Sequence, residues 1–333
     1  MADRFVAVHV VPTGVRASVG GYVGDATPAT NKMAEVCDRM IVHPNVVNGV
    51  MLNCARENVL YAEGYALDRF FLGEIALREV RRNKIGVVLD KVDKKHYNFG
   101  VNQVNAVISN KGIDVVGIGE TSEKVKDSVF RSEAGAFIGQ IGNPEVLFSA
   151  TQKLLRKGAE VICLSVKINV SHKLMKEYFR GKIPNPYGGL EAIISHAVSR
   201  KFGIPCAHAP LQLYSNKIHE FGIVDKRGAA EAVTTAYLGC VLQGLDRTPK
   251  LVPMKEAKWN DFKVTEIDAL VCPYNALGGV PMLACERMGI PIIAVKENST
   301  ILGVTKEKLG LKNVVKVKKY DDAVKVLRRM ARR

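Results

Sequence analysis

The stretch Gly203-Ile-Pro-Cys-Ala-His-Ala-Pro210 is written almost alike at Gly289-Ile-Pro-Ile-Ile-Ala-Val295. In each, a glycine suited to stopping a helix precedes a proline suited to the first residue of a strand, and a short apolar run follows. Helix, tight stop and buried strand form the repeating phrase of an α/β protein, and it extends to both sides. Upstream, Asn143 as N-cap and Pro144 start a helix over 144–157 that presents Val146, Leu147, Ala150 and Leu154 and stops at Gly158. A strand over 160–166 and a helix over 188–201 come next. Downstream, the pattern predicts helices over 228–244 and 279–288, strands over 268–272, 290–295 and 313–317, and a tail helix. Continuous apolar runs such as Ala269-Leu-Val-Cys272 belong to strands buried on both faces of a mainly parallel sheet.

The N-terminal part starts the same way. A strand over Phe5–Val11 leads to a loop and then to a helix over 28–40, with Thr27 as N-cap and Pro28 at its first position. Strands are predicted near 41–43, 85–90 and 113–118, with a helix near 99–109; residues 44–80 give the weakest pattern. The expected fold is therefore α/β: two Rossmann-like halves, 1–140 and 141–333, with mainly parallel sheets and a ligand cleft between them. One extended sheet is the alternative.

Composition narrows the class. The 333 residues are 47% hydrophobic and 24% charged, as in an ordinary soluble domain. No apolar run reaches the roughly 18–20 residues of a membrane span, and the first ten residues lack a secretory leader, so the expected location is the cytoplasm. Seven scattered cysteines with no Cys-x-x-Cys argue against a disulfide framework or a structural zinc site. The net charge of +15 would suit an anionic partner, but the basic residues lack the interleaved aromatics of a single-strand binder. Nucleic acid is the disfavoured partner and a small anionic metabolite the favoured one. A homo-oligomer stays open.

Two groups of residues carry the chemistry. Cys206 and His208 share one face of their strand, because side chains alternate, whereas the twin strand has Ile292 and Ala294 at the matching places. A thiol and an imidazole at a strand end suit proton transfer or nucleophilic attack. A divalent metal held by His208, Cys206 and His196 is the competing use, and no cofactor is required otherwise. The second group is three glycine-rich approaches to helix starts: residues 12–25 with Gly20 and Gly21, residues 135–143 with Gly142 and Asn143, and residues 273–279 with Asn275, Gly278 and Gly279. Glycine lets backbone amides approach an anion, and a helix start favours negative charge. His43, in a polar turn, and Asp25 are the assisting acid–base candidates. Glu63 and Asp68 are weaker ones.

The phrases Val11-Pro-Thr-Gly14, Gly20-Gly-Tyr-Val-Gly-Asp25, His43-Pro-Asn-Val-Val-Asn-Gly49, Glu63-Gly-Tyr-Ala-Leu-Asp68, Ile141-Gly-Asn-Pro144, Ile194-Ser-His196 and Pro205-Cys-Ala-His-Ala-Pro210 resemble those of an uncharacterised domain-of-unknown-function family best known from photosynthetic bacteria. The resemblance runs nearly end to end and implies no activity. That family often carries a cysteine before the paired glycines; Leu277 stands there here, so no mechanism depends on a thiol at that place. A fainter resemblance is to the aspartate/glutamate racemase superfamily, with two Rossmann-like halves and a cysteine from each. Lys157-Gly-Ala-Glu-Val-Ile-Cys163 and Ile267-Asp-Ala-Leu-Val-Cys272 carry it, but Lys167-Ile-Asn169 and Tyr274-Asn275 replace the phrases expected beyond them.

The expected function is an enzyme of isomerase, racemase or lyase type acting on a small carboxylate or phosphorylated metabolite. Cys206 and His208 would move protons, His43 or Asp25 would assist, and the glycine loops would hold the anion. A transferase or hydrolase that binds phosphate in those loops, and a non-enzymatic binding protein with a basic surface, are the alternatives.

Overall fold

The computed structural model describes residues 4–21, 26–211, 223–224 and 237–332. The chain divides into two units, residues 1–79 with 249–333 and residues 80–248. This corrects the expected halves: strand pairing joins the first strand to the last third of the chain, and the second unit is an insertion between them. Partners in a sheet are set by burial and register rather than by chain order, and no linker composition marks the two crossings near 80 and 248.

In the first unit six parallel strands lie in the order β3-β2-β1-β12-β13-β14. They are β1 (Val6–His9), β2 (Arg39–Val42), β3 (Val59–Tyr61), β12 (Ala269–Pro273), β13 (Ile292–Val295) and β14 (Val314–Val317). The chain moves outward from β1 through β2 to β3, then returns to β12 on the other side of β1 and moves outward again. β1 pairs with β2 at Val8↔Ile41 and with β12 at Val8↔Leu270. This is the doubly wound order in which ligands bind at the carboxyl ends of the two central strands, where the winding reverses. Here those strands are β1 and β12.

Helices cover both faces, as the apolar strands require. On one side α1 (Thr27–Ala34) and the tail helix α10 (Tyr320–Met330) supply Met33, Ala34, Ala323 and Leu327. On the other, α2 (Gly64–Phe71) and α8 (Val280–Met288) supply Leu67, Phe70, Phe71, Met282 and Cys285. Phe70 and Phe71 are fully buried, and each such side chain contributes about 2–3 kcal/mol of transfer free energy. The predicted helix over 28–40 ends at Ala34, because Arg39–Val42 is already strand. A short antiparallel pair, β4 (Ile75–Arg78) with β11 (Lys250–Pro253), and the short helix α9 (Lys306–Leu309) complete the unit.

The second unit has four parallel strands in the order β10-β9-β5-β6: β5 (Ile85–Leu89), β6 (Val115–Glu120), β9 (Val161–Val166) and β10 (Cys206–Pro210). The helices α3 (Lys94–Lys111) and α7 (Tyr237–Arg247) pack on one face around Val104, Leu238 and Leu242. The helices α4 (Glu145–Leu155) and α6 (Gly188–Phe202) lie on the other. Gly86 is what lets α4 close on the sheet: a β-carbon there would stand 2.9 Å from that of Leu154. α5 (His172–Phe179) follows β9. Residues 127–141 are not a glycine-rich phosphate loop but a hairpin, β7 (Asp127–Arg131) against β8 (Phe137–Ile141), with Gly135 at φ 86° in its turn. The predicted helix over 228–244 lies partly outside the described residues.

Candidate active site

At the carboxyl edge of the first unit, the loops after β1, β2, β12 and β13 are laced together. The Gly21 amide donates to Asn45 O at 2.6 Å, and the Asn45 side chain donates to Val11 O and to the Thr13 hydroxyl. A β-carbon on Gly20 would stand 2.5 Å from Asn45 O, so only glycine permits this approach of the two loops. Residues 298–301 bind the other loops in sequence. Asn298 exchanges hydrogen bonds with the main chain of Val19, and Ser299 O accepts from Ser18 N–H. The Asn275 side chain clasps Thr300 N–H and C=O, and Ile301 N–H donates to Val15 O.

His43 follows β2 on this edge and is half-buried. Its Nδ1 accepts from Asn45 N–H at 3.1 Å, while the main-chain N–H of His43 donates to His9 O. An imidazolium has no lone pair at Nδ1, so this hydrogen bond selects the neutral ring with its proton on Nε2. The ring is thereby oriented as a donor.

Glu63 follows β3, which pairs with β2 through Val42↔Tyr61. It stands at the N-cap of α2 without making a capping hydrogen bond and is 7% exposed. Tyr61 hydrogen-bonds its carboxyl, and Oε1 has no partner among the described residues. Burial pushes the carboxyl up to about 7 despite Tyr61, and Asp68 on the same helix is pushed up by burial to about 6. A carboxyl poised between its two forms near neutrality is the signature of an acid–base group. The Glu-Gly-Tyr-Ala-Leu-Asp phrase pointed here, but its burial was not legible.

The remaining predicted site residues separate. Gly278 is exposed and Gly279 is the N-cap of α8, which has no side-chain cap; Pro281 carries no N–H and Leu283 N–H donates to Gly279 O, so the first turn offers an anion at most the amides of Val280 and Met282. Asn275 and Gly21 hold loops together instead of a ligand, because their polar groups are engaged as described. Asp25 lies outside the described residues. Gly142 and Asn143 belong to the second unit and are structural: Gly142 N–H donates to Lys126 O, and the Asn143 amide takes Lys126 N–H and reaches Lys124 O. Asn143 therefore does not cap α4, whose N-cap is Pro144.

Cys206 and His208 do share a strand face in the second unit, covered by α6. Cys206 is 2% exposed and its thiol lies 3.8 Å from Ala207 O, the surroundings of a packed thiol rather than of one on an open face. The His208 side chain is 26% exposed, with Nδ1 2.9 Å from Ser195 Oγ and Nε2 3.9 Å from Glu191 Oε2. The set has the composition of a hydrolase triad without its geometry. Ser195 is buried in the middle of α6, with its hydroxyl against the carbonyls of Glu191 and Ala192. Among the described residues no three His, Cys, Asp or Glu side chains are gathered as for a metal.

The second unit has its own reversal point between β5 and β9. There Asp90, fully buried, accepts from Val125 N–H at 2.8 Å and Lys167 N–H at 3.2 Å. Burial raises its carboxyl above the ordinary value against these hydrogen bonds. Asp90 is a loop clamp, and the sequence reading missed it.

The chain belongs to the family described as Protein of unknown function (DUF3326), which matches residues 6–332. The Uncharacterized lipoprotein syc1174_c of Synechococcus sp. (strain ATCC 27144 / PCC 6301 / SAUG 1402/1) is 35% identical over 314 residues, covering 93% of this chain and 87% of that protein. The sequence phrases had pointed to this family. Among solved structures, the nucleotide-free acetone carboxylase matches 72% of this chain at 12% identity and a TM-score of 0.21. This chain covers 32% of the carboxylase chain, and a likeness at that level carries no argument. No comparison shows the racemase resemblance, and the two cysteines that carried it, Cys163 and Cys272, are both fully buried, with burial pushing the Cys272 thiol far up.

No helix among the described residues is long and apolar enough to cross a membrane.

Proposed function

We propose that the protein is an enzyme that moves protons on a small anionic metabolite, of isomerase, racemase or lyase type, at the carboxyl edge of the first unit. The observation that carries this reading is Glu63, a buried carboxyl with one oxygen unpartnered among the described residues and a proton affinity near neutrality, placed after the strand next to that of His43. Glu63 near pH 7 can take a proton from carbon or return one. His43, with its proton fixed on Nε2, can donate to the oxygen on which negative charge develops. The open amides at the start of α8 favour the substrate's anionic group.

The test needs no prior substrate. Pools of small carboxylates and phosphorylated metabolites are incubated with the protein in D2O, and loss of carbon-bound protons is followed by NMR. The reading expects exchange at a carbon beside a carboxylate or carbonyl in at least one compound, lost in both Glu63→Gln and His43→Ala. Exchange that persists undiminished in both variants would sink it.

We also place the protein in the cytoplasm. Cys37, Cys54, Cys272 and Cys285 are free thiols, and Cys54 is exposed, which suits a reducing compartment. The Synechococcus relative is named a lipoprotein, so cell fractionation is the check: recovery in the membrane fraction contradicts this placement.

A further inference from the structure

Residues 306–333 carry 11 Lys and Arg against 3 Asp and Glu, a net +8 of the chain's +15. The fold gathers them at one edge of the first unit's sheet, where β14 pairs with β13 alone among the described strands. Lys306 Nζ donates to Val314 O at 2.9 Å and Lys316 pairs with Glu307, so α9 lies along β14. On α10, Tyr320, Ala323 and Leu327 are buried. On the opposite side Lys325, Arg328, Arg329 and Arg332, spaced i, i+3, i+4 and i+7, form one exposed stripe. The three acids are already taken: Glu307 by Lys316, Asp321 by Lys32 and Asp322 by Lys325. Lys308, Lys312, Lys318, Lys319, Arg328, Arg329 and Arg332 are exposed and make no ion pair among the described residues. The helix dipole accounts for cations in the last turn of α10, and a lysine on an edge strand discourages strand addition. Neither accounts for Lys308, Lys312, Lys318 and Lys319.

We propose that the face formed by α9, β14 and α10 docks double-stranded DNA through its phosphate backbone, without reading sequence. The argument is charge complementarity. Unpaired cations spread over two helices and a strand call for a partner with many closely spaced negative charges, and duplex DNA carries one per roughly 1.7 Å of its axis. Tyr320 is the only aromatic residue of 306–333 and is buried, so the face offers no platform for stacked bases. That counts against a single strand but not against a duplex. A helix that lies in a bilayer surface sinks its apolar side among the lipids; the apolar side of α10 is packed on the sheet instead. An α-helix fits the wide major groove of B-form DNA and not the deep, narrow one of an RNA duplex. This docking face stands apart from the proposed proton chemistry and does not depend on it.

The experiment is fluorescence anisotropy of a labelled DNA duplex of arbitrary sequence with the full chain, at roughly 0.15 M salt and across a salt series. The wild type is expected to bind with a Kd between about 1 and 100 μM. One variant changes Lys325, Arg328, Arg329 and Arg332 to Gln, and a second changes Lys308, Lys312, Lys318 and Lys319 to Gln. Each is expected to bind at least about tenfold more weakly, with a shallower salt dependence. The second leaves α10 intact, so it decides the matter if the first misfolds. A control changes Lys94, Lys95, Lys153 and Lys173, exposed lysines of the second unit, to Gln; it is expected to stay within about threefold of the wild type. Equal weakening in the control and the second variant overturns the proposal, because the attraction would then belong to the whole chain's charge. So does a wild type that ignores the duplex at this salt. Tighter binding to a single strand, to duplex RNA or to vesicles of equal phosphatidylglycerol and phosphatidylcholine overturns it in favour of that partner.

Discussion

His9 Nε2 lies 3.1 Å from the Tyr320 hydroxyl, which joins the first strand to the last helix across the core of the first unit. Tyr320 also accepts from Asn298 Nδ2 at 2.8 Å, and His9 Nδ1 lies 3.0 Å from Thr30 Oγ1, so both ring nitrogens have hydrogen-bond partners. Asn298 continues the chain to Val19 in the loop that carries Arg16. The site's loops are thus anchored through a buried neutral histidine.

That histidine predicts an acid limb of stability. Burial lowers its pKa from 6.5 to about 3. Between those values the unfolded chain binds the proton and the native chain does not, so stability is intact above pH 6.5 and falls as the pH drops towards 3. The loss is on the order of 4 kcal/mol. His9→Gln should be destabilised by about 2 kcal/mol at pH 7 for its lost buried hydrogen bonds, with the gap to the wild type narrowing by pH 4. Melting curves that keep the gap constant over this range would contradict the assignment.

Glu63 predicts the opposite slope. Its carboxyl is raised from 4.5 to about 7, so the native state binds more protons between these values, and stability is lost as the pH rises through that window. Glu63→Gln should gain up to about 3 kcal/mol at pH 8 and nothing at pH 4.5, while losing proton exchange. Equal melting temperatures for variant and wild type at pH 8 would remove the poised carboxyl.

Cys206→Ala tests whether the buried thiol takes part in the chemistry. The thiol is sealed against its own strand, so deuterium exchange should stay within about twofold of the wild type, at a stability cost of about 1 kcal/mol. Loss of exchange in a folded Cys206→Ala protein would restore the thiol to the mechanism.

Asp261 predicts a purely structural loss. Its carboxylate, fully buried, takes Arg78 Nε at 2.8 Å and Nη2 at 2.7 Å. That pairing with Arg78 holds its pKa below the ordinary value, so its contribution is present above about pH 4 and is lost as the pH falls. Because Arg78 is partly exposed, Asp261→Ala should cost about 2 kcal/mol at pH 7 rather than the full penalty of a buried pair, with exchange rates unchanged. A chemical-denaturation midpoint equal to that of the wild type would show the pair to be neutral.

The repeated Gly-Ile-Pro phrase was sound for local structure: Gly203 and Gly289 cap α6 and α8 at φ 67° and 74°, and β10 and β13 follow. Burial runs such as Val161–Leu164 likewise became strands. What no local pattern carries is the long-range pairing of β1 with β12, so the boundary near 140 was misplaced. Alternation put Cys206 and His208 on one face correctly but could not say that α6 covers it. The glycines of 135–143 looked like those of the other two loops because hairpin turns and ligand loops need the same residue. Glu63 was named only as a weaker candidate for a different reason. Burial of one carboxyl is a property of the assembled fold, not of the residues beside it.

Amide chemical-shift mapping with phosphate or succinate tests the central claim most directly. The account predicts perturbations gathered in residues 13–21, 43–49, 275–282 and 298–304, at the carboxyl edge of the first unit. Shifts confined to residues 80–248, or none with either anion, would contradict it.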